Sequence, residues 1–142
     1  MKTREGSAHW SGTLKDGQGT VRSASGALDA GLSFGSRFEE GSGTNPEELI
    51  AAAHAGCFSM ALSKMLTDAG HPPDTIHTRA MVSLEKTGDG FSITTSHLHT
   101  RGNVPGISED EFQKLAAEAK KGCPVSRALG AIEITLQAEL AS

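Results

Sequence analysis

The 142-residue sequence has no tyrosine, a single tryptophan and five phenylalanines, so aromatics make up only 4% of it. Its core must therefore rest on Leu, Ile, Val, Ala and Met with those five rings. There is no CxxC pair; the two cysteines, Cys57 and Cys123, lie far apart. There is no long basic run and the net charge is -4, which argues against a nucleic-acid or membrane-surface partner. No apolar stretch approaches the ~20 residues needed to span a bilayer. Met1 to Trp10 is polar and lacks the apolar region of a secretory signal. The expected location is the cytoplasm, where thiols stay reduced. Two cysteines there are reactive, metal-bound or simply buried, rather than a permanent staple. What is present is ordinary: 37% hydrophobic residues, and a length that suits one domain, 1–142, with a sizeable core.

Gly and Ser are dense from Ser11 to Gly43, which predicts short strands and tight turns. Ala8–Leu14 and Gly19–Ser25 pair as a hairpin through Asp16-Gly17. Leu32–Phe38 is expected to be a third strand, with Leu32, Phe34, Ser36 and Phe38 on one face and Arg37 on the other. Gly43-Thr44-Asn45-Pro46-Glu47-Glu48 then opens a helix, with either Asn45 or Thr44 as N-cap, running to about Ala69 and ending at Gly70. From Leu49 to Leu66 it is apolar or small nearly all round, so it is expected to be buried on most sides, in part against a second copy of the chain. Ile76–Lys86 and Phe91–Asn103 form a hairpin around Thr87-Gly88-Asp89-Gly90. Ser108 caps a helix ending at Gly122. Cys123-Pro124 opens a short helix, and Ile132–Leu140 is a final strand. Helices and strands do not alternate one for one, which predicts an antiparallel α+β domain.

Cys57 sits mid-helix among apolar neighbours. Such a cysteine is usually a small core residue, and burial raises its pKa. Only a cation brought from elsewhere would activate it. Cys123 sits at a helix start, where free N–H groups favour a thiolate, with Lys120 and Lys121 close by; on position alone it is the better candidate for a low-pKa thiol. Glu47 lies ten residues before Cys57, about 15 Å along a helix axis. It complements the helix dipole, or it orients an arginine. Arg37 is a fork-shaped cation of the kind that a buried thiolate and an acid both need. His54, three residues before Cys57, either is a satisfied core histidine or pairs with the thiol. His97 and His99 share a strand face and could chelate a metal with a cysteine, in a metal-dependent hydrolase, although no third ligand stands at ligand-like spacing.

Five segments in order resemble the OsmC/Ohr family of hydroperoxide reductases, its OsmC branch in particular: Arg37-Phe38-Glu39, Gly43 to Ile50, Ala52 to Met60, Val104 to Ile107 and Gly122 to Ser126. The resemblance covers nearly the whole chain. It implies antiparallel sheets wrapped around long buried helices in a tightly intertwined homodimer, with two active sites at the subunit interface. Cys57 would be the peroxidatic thiol and Cys123 the resolving thiol. Arg37 would hold Cys57 as thiolate and Glu47 would orient Arg37; Arg22 and Arg4 are weaker alternatives for that arginine. The substrate would be an organic hydroperoxide, the reductant a dithiol, and no metal or other cofactor would be required. The alternative is a non-enzymatic, stress-related binding or structural dimer in which both cysteines are packing residues.

Overall fold

The computed structural model describes residues 1–141. The chain groups into two compact units, Met1–Leu49 and a second from Ile50 onward.

In the first unit, strands β1 (Gly6–Ser11), β2 (Gln18–Ser23) and β3 (Asp29–Ser33) form an antiparallel sheet in sequence order. The β1–β2 turn is closed by Gly17 N–H on Thr13 O at 2.7 Å and by Asp16 N–H on the Thr13 hydroxyl at 3.0 Å. The expected third strand is cut short. After Ser33 the chain enters a helical turn, α1 (Phe34–Phe38), so Arg37 stands on a helix and not on a strand. The cause is a reciprocal cap: the Ser33 hydroxyl accepts from Ser36 N–H at 3.0 Å, and the Ser36 hydroxyl accepts from Ser33 N–H at 2.9 Å. Ser36 also clamps the chain that follows, donating to Thr44 O at 2.7 Å and accepting from the Asn45 side chain at 2.9 Å through its carbonyl. Gly43 makes that path possible. Its φ is +108°, and a Cβ there would lie 2.6 Å from Gly31 O.

Helix α2 spans Pro46–Asp68. Asn45 is its N-cap, since its side chain accepts from Glu48 N–H at 2.7 Å; the Thr44 hydroxyl instead donates to the Glu48 carboxylate at 2.7 Å. Gly70 ends it at φ +88°, with Gly70 N–H on Thr67 O at 3.0 Å and His71 N–H on Leu66 O at 2.8 Å, the paired bonds of a glycine-terminated helix.

In the second unit, β4 (Thr75–Thr87) and β5 (Gly90–Asn103) form the expected hairpin, turning at Gly88. Helix α3 (Glu109–Gly122) follows, capped by Ser108, then α4 (Pro124–Ala128) and β6 (Glu133–Leu140). The fold class is α+β, as expected. One pairing differs from the expected antiparallel pattern: β6 runs parallel to β5. The two helices between them form the crossover that a parallel pair requires. Phe58, Leu62 and Leu66 of α2 pack with Leu98 of β5 and with Phe112, Ala116 and Ala119 of α3 as the core.

Helix α2 corrects two expectations. It is long and apolar enough to cross a membrane by length and composition, contrary to the view that no stretch approaches that. His54, Ser59, Ser63 and Lys64 interrupt the run without lowering its average enough. Its core-facing stripe marks it as the central helix of a packed unit. Nor is it buried on most sides within the chain. Only a stripe spaced by four residues, His54, Phe58, Leu62 and Leu66, is fully buried, while Met60 on another side is 76% exposed. The sheet and α3 pack on this stripe and leave the side of Met60 open.

Candidate active site

Cys57 projects from the middle of α2, and Cys123 occupies the single-residue junction between α3 and α4. Both are free thiols, Cys57 half-buried and Cys123 fully buried. Their sulfurs are 2.8 Å apart, with the Cys123 thiol donating to Cys57. A disulfide needs about 2.05 Å, so a shift of under 1 Å would join them.

The end of α4 serves Cys57 and not Cys123, which reverses the expectation from position. Cys123 makes no side-chain cap bond, and its own N–H closes α3 on Ala119 O at 3.0 Å. Pro124 has no N–H. The first free amide of α4 is that of Val125, and it donates to the Cys57 sulfur. Burial pushes the Cys57 thiol pKa up from its ordinary value, the hydrogen bond with Cys123 adds to the rise, and only the Val125 amide pulls it down. Neither of these two neighbours carries a positive charge. Cys57 opens onto an apolar groove of about 910 Å³ walled by Ala52, Ala53, Gly56, Met60 and Pro124, with Lys64 at its edge.

In the first unit, Arg37 and Glu47 form a two-pronged ion pair: Nε donates to Oε1 at 3.1 Å and an Nη to Oε2 at 3.2 Å. Glu47 is only 7% exposed. The pair is desolvated on its acid side, which strengthens it and holds the guanidinium in one orientation. Glu47 therefore does more than complement the helix dipole. The Arg37 guanidinium also lies 5.4 Å from the centre of the Phe38 ring, which packs on Phe34. A cleft of about 280 Å³ opens beside it, walled by Trp10, Leu14, Leu32, Phe38 and Pro46. The alternative arginine Arg22 is engaged with Asp29 at 3.1 Å on an exposed face of the sheet, and Arg4 is exposed. The structure thus joins the sequence candidates in two pairs, Cys57 with Cys123 and Arg37 with Glu47, each inside one compact unit.

His54 is a satisfied core histidine. It is fully buried, with Nδ1 on the Ser96 hydroxyl and Nε2 on the Ser126 hydroxyl, each at 2.7 Å. Burial lowers its pKa, so the ring is neutral at pH 7. With both nitrogens engaged it is not a base for Cys57. His97 bonds the Thr135 hydroxyl and His99 the Arg79 guanidinium. Among the described residues no three His, Cys, Asp or Glu side chains converge as a ligand set, so the hydrolase alternative lacks its centre. Sequence reasoning missed the Val125 amide, a backbone group with no residue signature, and the partnership of Ser96 and Ser126 with His54.

Two reduced sulfurs a small shift from a bond, one of them at a helix junction, are what a protein cycling between dithiol and disulfide requires. The comparisons with known proteins specify the class. Residues 39–137 match the family described as OsmC-like protein, and the chain belongs to that family. It is 52% identical to Peroxiredoxin OsmC of Escherichia coli (strain K12), over 98% of this chain and 97% of that one. It is 35% identical to an organic hydroperoxide resistance protein of Xanthomonas axonopodis pv. citri (strain 306), over 84% of each. Among solved structures, an organic hydroperoxide resistance protein OsmC from Legionella pneumophila matches with a TM-score of 0.79 at 29% identity, over 98% of both chains.

Proposed function

We propose that this chain is a thiol-dependent peroxidase that reduces organic hydroperoxides, and hydrogen peroxide more weakly, to alcohol or water. The observation that carries the proposal is the 2.8 Å approach of the Cys57 and Cys123 sulfurs. The names of the relatives support the substrate class.

In the proposed cycle the Cys57 thiolate attacks the distal oxygen of the hydroperoxide. The O–O bond breaks, the alkoxide leaves and takes a proton from solvent as the alcohol, and Cys57 becomes a sulfenic acid, oxidised by two electrons. Cys123 condenses with it, releasing water and forming the Cys57–Cys123 disulfide. A dithiol reductant restores both thiols by exchange. Arg37, oriented by Glu47, is assigned the charge that Cys57 lacks among its own neighbours. The chain is proposed to act as a single-domain, cytoplasmic, intertwined homodimer with its active sites at the subunit interface. The open apolar side of α2 around Met60 supports that assembly, since an uncovered apolar stripe on a central helix calls for a partner. The apolar groove at Cys57 suits alkyl or lipid hydroperoxides.

The test is peroxide consumption with cumene hydroperoxide and dithiothreitol. Wild type should turn over and Cys57→Ser should not. Equal consumption by Cys57→Ser would sink the proposal.

A further inference from the structure

Helices α2 and α4 meet at two rungs. One is the sulfur pair. The other is His54, three residues before Cys57, hydrogen-bonded at 2.7 Å to Ser126, three residues after Cys123. Each pair of rungs is thus one helical turn apart on both helices. The second nitrogen of His54 reaches Ser96 on β5, the central strand of its sheet, a bond inside the core that does not touch α4. His54 and Ser96 are 0% exposed and Ser126 is 4% exposed. Buried polar groups are costly unless paired, and both ring nitrogens are paired here. Helix α4 has only five residues. A helix that short has little stability of its own, so its place depends on bonds such as that from Ser126 to α2.

We propose that Ser126, held by His54, is a positioning residue for disulfide formation: it keeps the first turn of α4 seated so that Cys123 captures oxidised Cys57. This rests on the peroxidase reading above. When Cys57 is oxidised, its sulfur carries a hydroxyl and the thiol-to-thiol rung is gone. The His54–Ser126 rung contains no oxidisable group and persists. It confines the Cys123 sulfur to attack range while the S–O bond of the sulfenic acid breaks, the S–S bond forms, and hydroxide leaves with the Cys123 proton as water. The same turn carries the Val125 amide that faces the Cys57 sulfur.

The test follows one turnover after one equivalent of cumene hydroperoxide, trapping sulfenic acid with dimedone and measuring the disulfide by mass spectrometry. Ser126→Ala should slow disulfide formation at least tenfold and divert Cys57 into the dimedone adduct. Ser126→Thr, which keeps the hydroxyl, should restore the rate to within threefold of wild type. His54→Gln, which alters the same rung from the α2 side, should also slow it. Ser96→Ala removes an equally buried bond that does not touch α4; it should lower the melting temperature yet leave disulfide formation within threefold. The inference is overturned if Ser126→Ala resolves as fast as wild type, or if Ser96→Ala slows resolution equally, since a merely structural network would do that. Wild type failing to form the disulfide would instead overturn the peroxidase reading.

Discussion

Arg37→Met tests where the charge on Cys57 comes from. The substitution keeps an unbranched apolar stem but removes the guanidinium, and with it the cation over the Phe38 ring and the two bonds to Glu47. Among its own neighbours Cys57 has a pKa raised first by burial and then by Cys123. Even an unperturbed thiol, with a pKa of about 8.5, is only about 3% thiolate at pH 7. If Arg37 holds the wild-type thiol largely ionised, its loss lowers the thiolate population at pH 7 by about thirtyfold or more. The surviving thiolate is a better nucleophile, by about threefold per pKa unit, which returns part of the loss. For a shift of about two to three pKa units the net drop in kcat/KM at pH 7 is then about three- to tenfold. Because the two effects oppose each other, one rate at one pH is a weak test and the pH profile is the strong one. The sign follows from the ionisation: a cation favours the anionic thiolate, so removing it raises the pKa. The inflection of kcat/KM against pH should move upward in Arg37→Met, and the deficit should close as pH rises past that inflection. Arg37→Lys keeps the charge without the two-pronged bond to Glu47 and should fall between. An Arg37→Met profile superimposable on wild type would refute the assignment.

Other outcomes follow from the same structure. Cys123→Ser should leave the first turnover intact but stop recycling through the disulfide, with Cys57 appearing as sulfinic and sulfonic acid by mass spectrometry at excess peroxide. Met60→Glu places a charge on the open side of α2 and should shift the proposed dimer toward monomer by light scattering. Gly43→Ala forces a Cβ against Gly31 O at a positive φ and should destabilise the chain by about 1–3 kcal/mol in urea titration, with loss of the Arg37–Glu47 alignment. His54 has a lowered folded-state pKa, so as pH falls through about 6.5 the unfolded chain gains a proton that the folded chain refuses. Stability should fall with pH below that value by up to about 1.4 kcal/mol per pH unit from this residue, a slope that His54→Gln removes.

The ends of α2 were legible because their chemistry is local. Asn45-Pro46-Glu47-Glu48 and Gly70 each satisfy backbone groups within a few residues, and the structure uses both. Helix α1 was not legible, because the alternation of Leu32, Phe34, Ser36 and Phe38 fits a strand as well as any sequence does. What overrides it is a cap between two serines, Ser33 and Ser36, with no acid at the third position to announce it. The parallel pairing of β6 was hidden for another reason. Residue alternation fixes which face a strand buries and says nothing of its direction, which depends on how α3 and α4 cross the unit.

The cysteines show the same division between local and distant causes. Burial and helix position, both readable in the sequence, describe Cys57 as a thiol of raised pKa, and the structure agrees. Helix position misassigned the amide at the start of α4, because the turn that begins at Pro124 points its first N–H across to the neighbouring helix and not back at Cys123. The resemblance to a family, not any spacing, paired two residues 66 positions apart. Reactivity at Cys57 is therefore a property that its own segment opposes. Desolvation raises the energy of the anion at that place, and one backbone amide offsets only part of it. A side chain chosen merely to fill space needs no such correction. A nucleophile in that setting needs a fixed positive charge, and Arg37 is the described arginine whose guanidinium is locked by a nearly buried acid beside an apolar cleft. The chemistry proposed here therefore needs a cation from beyond the immediate neighbours of the thiol pair, and Arg37→Met is the substitution that asks whether Arg37 is that cation.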